Sequence, residues 1–439
     1  MSARPGFPDE TGVLVVGGGP VGLVASALLS QHGIPNVVVE RRLETQRAPA
    51  AHVLRRRPME VLRGIGVEAA IRCAAPELPL HYITWCAQLG GAEIGRLDLR
   101  SGLAPGEEAW TNCPQNLLEP ILLERASREP AARVLRGCEC IAIEQDADGV
   151  SARLRADGGA EWRVRARWTL AADGASSPTR RALDIPMRGL GPQGRFFMIH
   201  FEADLVPWIR DRPGPIFWIL HPEASGTLIV HDPRRSHVFM TLRRGDDGER
   251  AGLPDRLAAA LGVSARARIL SLDEWSPHVQ VAERYREGRV FLVGDAAHRF
   301  PPSGGLGLNT GILEVDNLVA KLAQVESGRA DPVILDRYQA ECRPAAEANA
   351  RQSFENMLRL GEISRQIGDS PDLPALEQRL ASLTRDERRR LAAAIEAQRG
   401  HFLWEGQPPG TGSEREPPPS AAAAQDRRGQ GSRAGVRPA

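Results

Sequence analysis

The sequence predicts an α/β protein: a Rossmann-like domain interrupted by an inserted, mostly antiparallel β-sheet and followed by C-terminal helices. Three observations carry this. Short apolar runs alternate with helical patterns at both ends of the chain, as in a sheet covered by helices. Two glycine-rich turns, Gly17-Gly18-Gly19-Pro20-Val21-Gly22 and Val293-Gly294-Asp295-Ala296-Ala297-His298, each follow such a run, nearly three hundred residues apart. Between them, residues 215–243 read as a three-stranded meander.

Val13–Val16 is a continuous apolar run, the pattern of a strand buried on both faces. Pro20–Gln31 has helical character, with Gly33 placed as a left-handed cap. Val37–Val39 supplies the second strand and completes a strand–helix–strand unit. Pro58–Arg63 is predicted helical, Pro79–Gly95 β-like and Leu117–Arg128 helical. Val150–Leu154 and Trp162–Leu170 read as a hairpin around Asp157-Gly158-Gly159. Ile216–His221, Thr227–His231 and His237–Arg243 are the meander strands, and their apolar residues include Phe217, Trp218, Ile219, Leu220, Leu228, Val230, Phe239, Met240 and Leu242. The face of the meander that meets a ligand depends on register, which the sequence leaves open. α/β character returns at Arg289, with helices predicted from Asn309 to Val325 and from Ile334 to Leu360. After Trp404 the composition turns to Gly, Pro, Ala, Ser, Arg and Gln, and residues 405–439 are expected to be a disordered tail.

The 439 residues suffice for two or three domains. With 42% apolar and 25% charged residues the composition is that of a soluble globular protein, and a net charge of +1 argues for neither nucleic acid nor an anionic membrane as partner. The six cysteines, at 73, 86, 113, 138, 140 and 342, are expected to be reduced thiols, and no metal site is expected. Met1–Glu10 lacks the apolar core of a signal peptide, so a cytoplasmic protein is expected.

The two turns carry the chemistry. In Gly17-x-Gly19-x-x-Gly22 the first glycine permits a tight turn, the second lets the backbone approach phosphates and the third lets helix and strand pack. The helix start offers free N–H groups and partial positive charge to a pyrophosphate. Glu40, 18 residues after Gly22, closes the second strand, where its carboxylate can accept both hydroxyls of a ribose. Asp295 follows a strand, where it can accept hydrogen bonds from a neutral polyol chain. Pro301-Pro302-Ser303-Gly304-Gly305-Leu306-Gly307-Leu308-Asn309 then brings backbone N–H groups toward a flat ring. A stretched dinucleotide gripped at both ends fits this order, and FAD fits it better than a freely exchanging nicotinamide.

Four segments in this order resemble the class A flavoprotein monooxygenases, the para-hydroxybenzoate hydroxylase fold, and most closely the branch acting on phenols and aromatic polyketides. They are the fingerprint with Glu40; Gln115-Asn116-Leu117-Leu118-Glu119; Asp173-Gly174-Ala175-Ser176-Ser177-Pro178-Thr179-Arg180; and Gly294-Asp295 with its Pro-Pro and Gly-Gly. The resemblance runs from Val13 to about Glu355. It implies a cofactor set of Gly17, Gly19, Pro20, Val21, Gly22, Glu40, Arg41, Arg57, Gln115, Asp173, Arg180, Asp295, Pro302, Gly305, Gly307, Leu308 and Asn309. Pro302 would floor the reaction site, with no side-chain base assigned. A buried Asp173–Arg180 ion pair and an ordinary helix-cap role for Gln115 stay open as structural alternatives. His52, His231 and His298 are further candidates for a base; for His298 a structural role, and for His231 a surface position, is the plainer reading.

The implied activity is FAD-dependent hydroxylation of a phenolic or polyketide-type ring through a flavin C4a-hydroperoxide, consuming NADPH or NADH and O2, with a homodimer left open. An epoxidase or reductase of the same fold, or a catalytically impaired FAD-binding partner protein, are the alternatives. The implied layout has an FAD-binding domain from residues 1–76, 109–187 and 282–345, a substrate domain from 77–108 and 188–281, and a helical region from 346–404. Two departures stand out. Ala50 and Arg55 replace an arginine and an asparagine usual in the family, although Arg57 matches, and Glu314-Val315 replaces Asp-Ala on a helix body. The thioredoxin-like domain that often follows in this branch is expected to be lacking.

Overall fold

The computed structural model describes residues 8–410 apart from 102, 105, 106 and 246. Four parallel strands form its centre in the order Val290–Leu292, Glu161–Ala171, Glu10–Val16, Asn36–Glu40, with Ala132–Arg136 parallel at one edge. Val13, Leu14, Val15, Val37, Val38 and Val39 are buried because both faces are covered. Helices Pro20–Gln31 and Leu306–Glu326 pack against each other on one face, and Gln115–Ser127 packs on the first of them. An antiparallel annex, Cys138–Gln145 and Val150–Ala156, is joined to Glu161–Ala171 and includes the expected hairpin.

The second sheet has seven strands, in the order Arg268–Trp275, Phe196–Glu202, Ser236–Leu242, Gly226–Asp232, Ile216–Ile219, Tyr82–Cys86, Glu93–Asp98. All pairs are antiparallel except Ile216–Ile219 with Tyr82–Cys86. The expected meander is its middle. Register places Phe217 opposite Leu228, Leu228 opposite Phe239 and Phe239 opposite Ile199. These residues, with Ile219 and Val230, form one core with helix Leu253–Leu261. Trp218, Met240 and Met198 share the other face and stay half-buried. The helical region, Asp336–Ile367, Leu373–Ala381, Arg385–Glu396 and Arg399–Leu403, closes a third core with Ile83, Trp85 and Leu97.

Three sequence expectations shift. The helix expected from Asn309 begins at Leu306, because Gly305 at φ +64° makes the break and Gly307 is absorbed into the first turn. His231 is buried and not at the surface. Residues 405–410, at the start of the expected tail, are held: Gln407 N–H donates to Asn349 Oδ1 (2.7 Å) and Asn349 Nδ2 donates to the Gln407 carbonyl (3.1 Å). The remainder of that expectation, residues 411–439, lies outside the described residues.

Candidate functional site: a cleft at the ends of the parallel strands

Val16, Val39, Ala172 and Val293 stand at or just past the carboxyl ends of the four central strands, and all four line one cleft of about 350 Å³. This is where open parallel sheets bind ligands. Gly17, Gly19, Pro20, Val21, Glu40, Arg41, Gln115, Asp173, Asp295 and Leu308 line it as well. Segments spread over nearly the whole chain are thereby brought together.

The first turn is set by contact distances. Gly17 has φ +109°, and a Cβ there would sit 2.2 Å from the Ala172 carbonyl oxygen. A Cβ on Gly22 would sit 2.0 Å from the Gly17 oxygen. Gly18 N–H donates to Glu40 Oε2 (2.8 Å), while Glu40 Oε1 accepts from the Arg42 backbone N–H (2.8 Å). Glu40 is thus oriented at the cleft wall, with lone pairs left to accept further donors. Glu119, fully buried, does the same work on the adjoining wall: it accepts from Gln115 Nε2 (2.7 Å) and from the Gln46 backbone N–H (2.7 Å). Gln115 is therefore held by a partner one helical turn on.

On the opposite wall, Asp173 Oδ2 accepts from Thr179 N–H (3.0 Å), while its Oδ1 is buried without a partner. Arg180 does not turn to Asp173. Its Nη1 donates to the carbonyl of Ala296 (3.0 Å), tying this loop to the Asp295 turn. Arg299 donates to the Ala175 carbonyl and brings a second guanidinium to the same place. Burial lowers the pKa of both arginines.

Asp295 lies in the turn Gly294–Ala296 with its side chain open to the cleft. The cleft floor is enclosed by protein, so loss of solvation raises the carboxyl pKa even though a water molecule can reach it, with His298 and Arg299 opposing. Glu314 fixes this turn. Its Oε2 accepts from Gly294 N–H (3.0 Å) and pairs with His298 Nε2 (3.1 Å), both side chains being fully buried. Burial opposes the charge on His298, but Glu314 overrides it and raises the imidazole pKa. Sequence reasoning passed over Glu314 as part of a helix body. A carboxylate on the apolar stripe with Ile312, Val315 and Leu318 was the available signal.

The loop before helix Leu306–Glu326 is held from afar. Asn309 Nδ2 donates to the Val53 carbonyl (2.8 Å) and its Oδ1 accepts from Arg55 N–H (2.9 Å), so this side chain is spent inside the protein. A Cβ on Gly305 would meet Val53 at 2.8 Å. Pro302 is exposed, and its carbonyl closes a turn with Gly305 N–H (2.9 Å). Arg57 is exposed on helix Arg56–Gly64 and does not line the cleft. His52 Nδ1 lies 2.8 Å from Asn112 Oδ1, and its ring meets His231 edge-on at 4.9 Å. Both histidines are buried, which lowers their pKa and keeps them neutral. The His52–Asn112–His231 contact joins the two halves of the molecule, and sequence could not pair residues so far apart.

At these two helix starts one glycine each has no packing reason within the protein. Gly19 (φ −75°) and Gly307, in a helical turn, adopt conformations open to any residue, and a Cβ on either would meet nothing within 4 Å. Each stands at the start of a helix without a side-chain cap. Two uncapped helix starts, one contributing Gly19 and the other Leu308 to a cleft that Asp173 with its orphan oxygen also lines, fit an elongated ligand carrying a phosphate group.

Among the described residues no cluster of His, Cys, Asp and Glu could hold a metal ion, and no helix is long and apolar enough to cross a membrane. Residues 10–353 match the FAD-binding-domain family. The chain is 36% identical over 375 residues to 2,4-dichlorophenol 6-monooxygenase of Cupriavidus pinatubonensis, covering 79% of this chain and 62% of that protein. It is 37% identical over 372 residues to a putative polyketide hydroxylase of Streptomyces halstedii, covering 80% of this chain and 67% of that one. The crystal structure of the flavin-dependent monooxygenase PieE in complex with FAD and substrate superposes with a TM-score of 0.83 at 27% identity, over 94% of this chain and 79% of that one. The chain spans about two thirds of the length of these curated relatives. With its parallel-strand cleft, its paired glycine-rich helix starts and this likeness over most of its length, the chain belongs to the FAD-binding family of class A flavoprotein monooxygenases.

Proposed function

We propose that the protein is an FAD-dependent hydroxylase of an aromatic ring, phenolic or polyketide-type, consuming NADPH or NADH and O2. The observation that carries this is the single cleft uniting Gly19, Glu40, Asp173, Asp295 and Leu308. In this reading Gly17, Gly19, Pro20, Val21 and Gly22 receive the pyrophosphate, and Glu40 and Arg41 the adenosine end. Gln115, Asp173, Arg180 and Asp295 hold the middle of the cofactor. Pro302, Gly305, Gly307, Leu308 and Asn309 shape the ring end, the last through its hold on Val53 and Arg55. Arg57, which the resemblance puts in the cofactor set, is exposed and lies outside this cleft.

Bound FAD supplies the reduction of O2 and the transfer of one oxygen atom. The chain's own residues bind, orient and exclude water. Trp218, Met240 and Met198 offer an apolar, polarisable face for a flat ring. The buried neutral pair His52 and His231 borders that face and holds the segment before Arg55 against it. The division into an FAD-binding domain (1–76, 109–187, 282–345), a substrate domain (77–108, 188–281) and a helical region (346–404) follows the two sheets. The six free thiols suit a reducing compartment such as the cytoplasm.

The test is NADPH consumption by FAD-loaded protein, with candidate phenols and isotopically labelled O2. Substrate-stimulated consumption with label in the product is expected. Consumption with reduced but unlabelled product would replace the hydroxylase reading with a reductase.

A further inference from the structure

Arg55 is an oddity of this chain. Its side chain is 1% exposed, in the company of apolar groups. Nη2 donates to the carbonyl of Gly304 (2.9 Å) and Nη1 to that of Phe402, while Nε has no acceptor. The guanidinium lies over the Trp110 ring, 5.4 Å from its centroid. Its hydrogen-bond acceptors are thus neutral carbonyls. The nearest carboxylate influence comes from Glu405, which is engaged by the backbone N–H of Arg56 (3.2 Å). His401 alongside is kept neutral by burial and by Arg55 itself, with its pKa lowered to about 3. Burial brings Arg55 down to about 10, so it stays cationic at neutral pH. A buried cation without a contacting counter-charge is costly to hold, and this one is tied through the Gly304 carbonyl to the turn before helix Leu306–Glu326.

We propose that Arg55 is a positioning residue of the ring-side loop, and that its uncompensated charge favours the reduced, anionic state of the flavin held there. This rests on the reading that the loop receives the flavin ring. The fork to Gly304 and Phe402 ties Phe402 to the loop, and the charge adds to the partial positive charge of the uncapped helix at Leu306.

The experiment compares FAD-loaded wild type, Arg55→Gln and Arg55→Lys, each equilibrated anaerobically with a reference redox dye. Arg55→Gln should disfavour the reduced flavin about tenfold, equivalent to about 30 mV for a two-electron couple. Arg55→Lys, which keeps the charge but loses the planar fork, should stay within about threefold of wild type while melting at a lower temperature. A Gln variant with the wild-type potential, or a Lys variant displaced as far as Gln, would overturn the charge assignment. If the Gln variant does not fold, the Lys variant decides: a large displacement despite the retained charge counts against the proposal. Folded wild type unable to take up FAD would instead sink the functional reading beneath it.

Discussion

The cleft is built around two helix starts that look alike and are made differently. At Pro20 the geometry is local: Gly17, Gly18 and Gly22 each touch something within the strand–helix–strand unit or the strand beside it, down to 2.0 Å for a Cβ on Gly22. At Leu306 it is remote: the turn is held by Val53, Arg55 and Asn356, which lie some fifty to two hundred and fifty residues away. The common element is the open glycine, Gly19 in one and Gly307 in the other. What the contrast teaches is that, at these two starts, some glycines are required by packing against the protein and others are not.

That distinction can be broken by substitution. The largest effect should come from Gly22→Ala, whose methyl would meet a backbone oxygen with nowhere to move. We expect a loss of about 3 kcal/mol in stability and recovery of little yellow protein; normal melting with FAD retained would show that the turn relaxes freely. Asp295→Ala should fold, since the side chain opens into the cleft, but should weaken FAD binding about tenfold to a hundredfold through the lost charged hydrogen bonds. Flavin absorbance retained through desalting would refute that role.

Gly307→Ala sharpens the comparison because its two readouts should move in opposite directions. The FAD-free protein should gain about 1 kcal/mol, since alanine is the better helix former and its methyl meets nothing in the protein. FAD affinity should fall, since the methyl occupies ligand space. Affinity unchanged by calorimetry would mean that the space above Gly307 lies outside the site.

The smallest effect concerns the pair behind Asp295. Glu314 raises the His298 pKa above its ordinary value near 6.5. A folded-state pKa raised in this way contributes stability in full below the unfolded value, and that contribution is lost as pH rises through the folded value. The melting-temperature difference between wild type and His298→Asn should therefore shrink on going from pH 6 to about pH 9; a difference that is flat with pH would mean that the pair is not ionised.

Much of this molecule was legible in its residues. The first strand, its glycine turn and helix Pro20–Gln31 were readable because turn chemistry and buried-strand patterns act over a few residues. The meander was readable as three strands, but not its faces: Phe217 and Trp218 look equally apolar, and only pairing with Leu228 and Thr227 sends one into the core and leaves the other half-open. The sequence alone determined that two glycine-rich helix starts and an aspartate turn exist, since each is written in local sterics. Only the tertiary structure decided that Glu314 braces that turn, that His231 is buried against His52 and that Arg55 reaches Gly304 and Phe402. Those contacts join residues far apart in the chain, and no periodicity or spacing encodes which side chains meet once separate layers have packed.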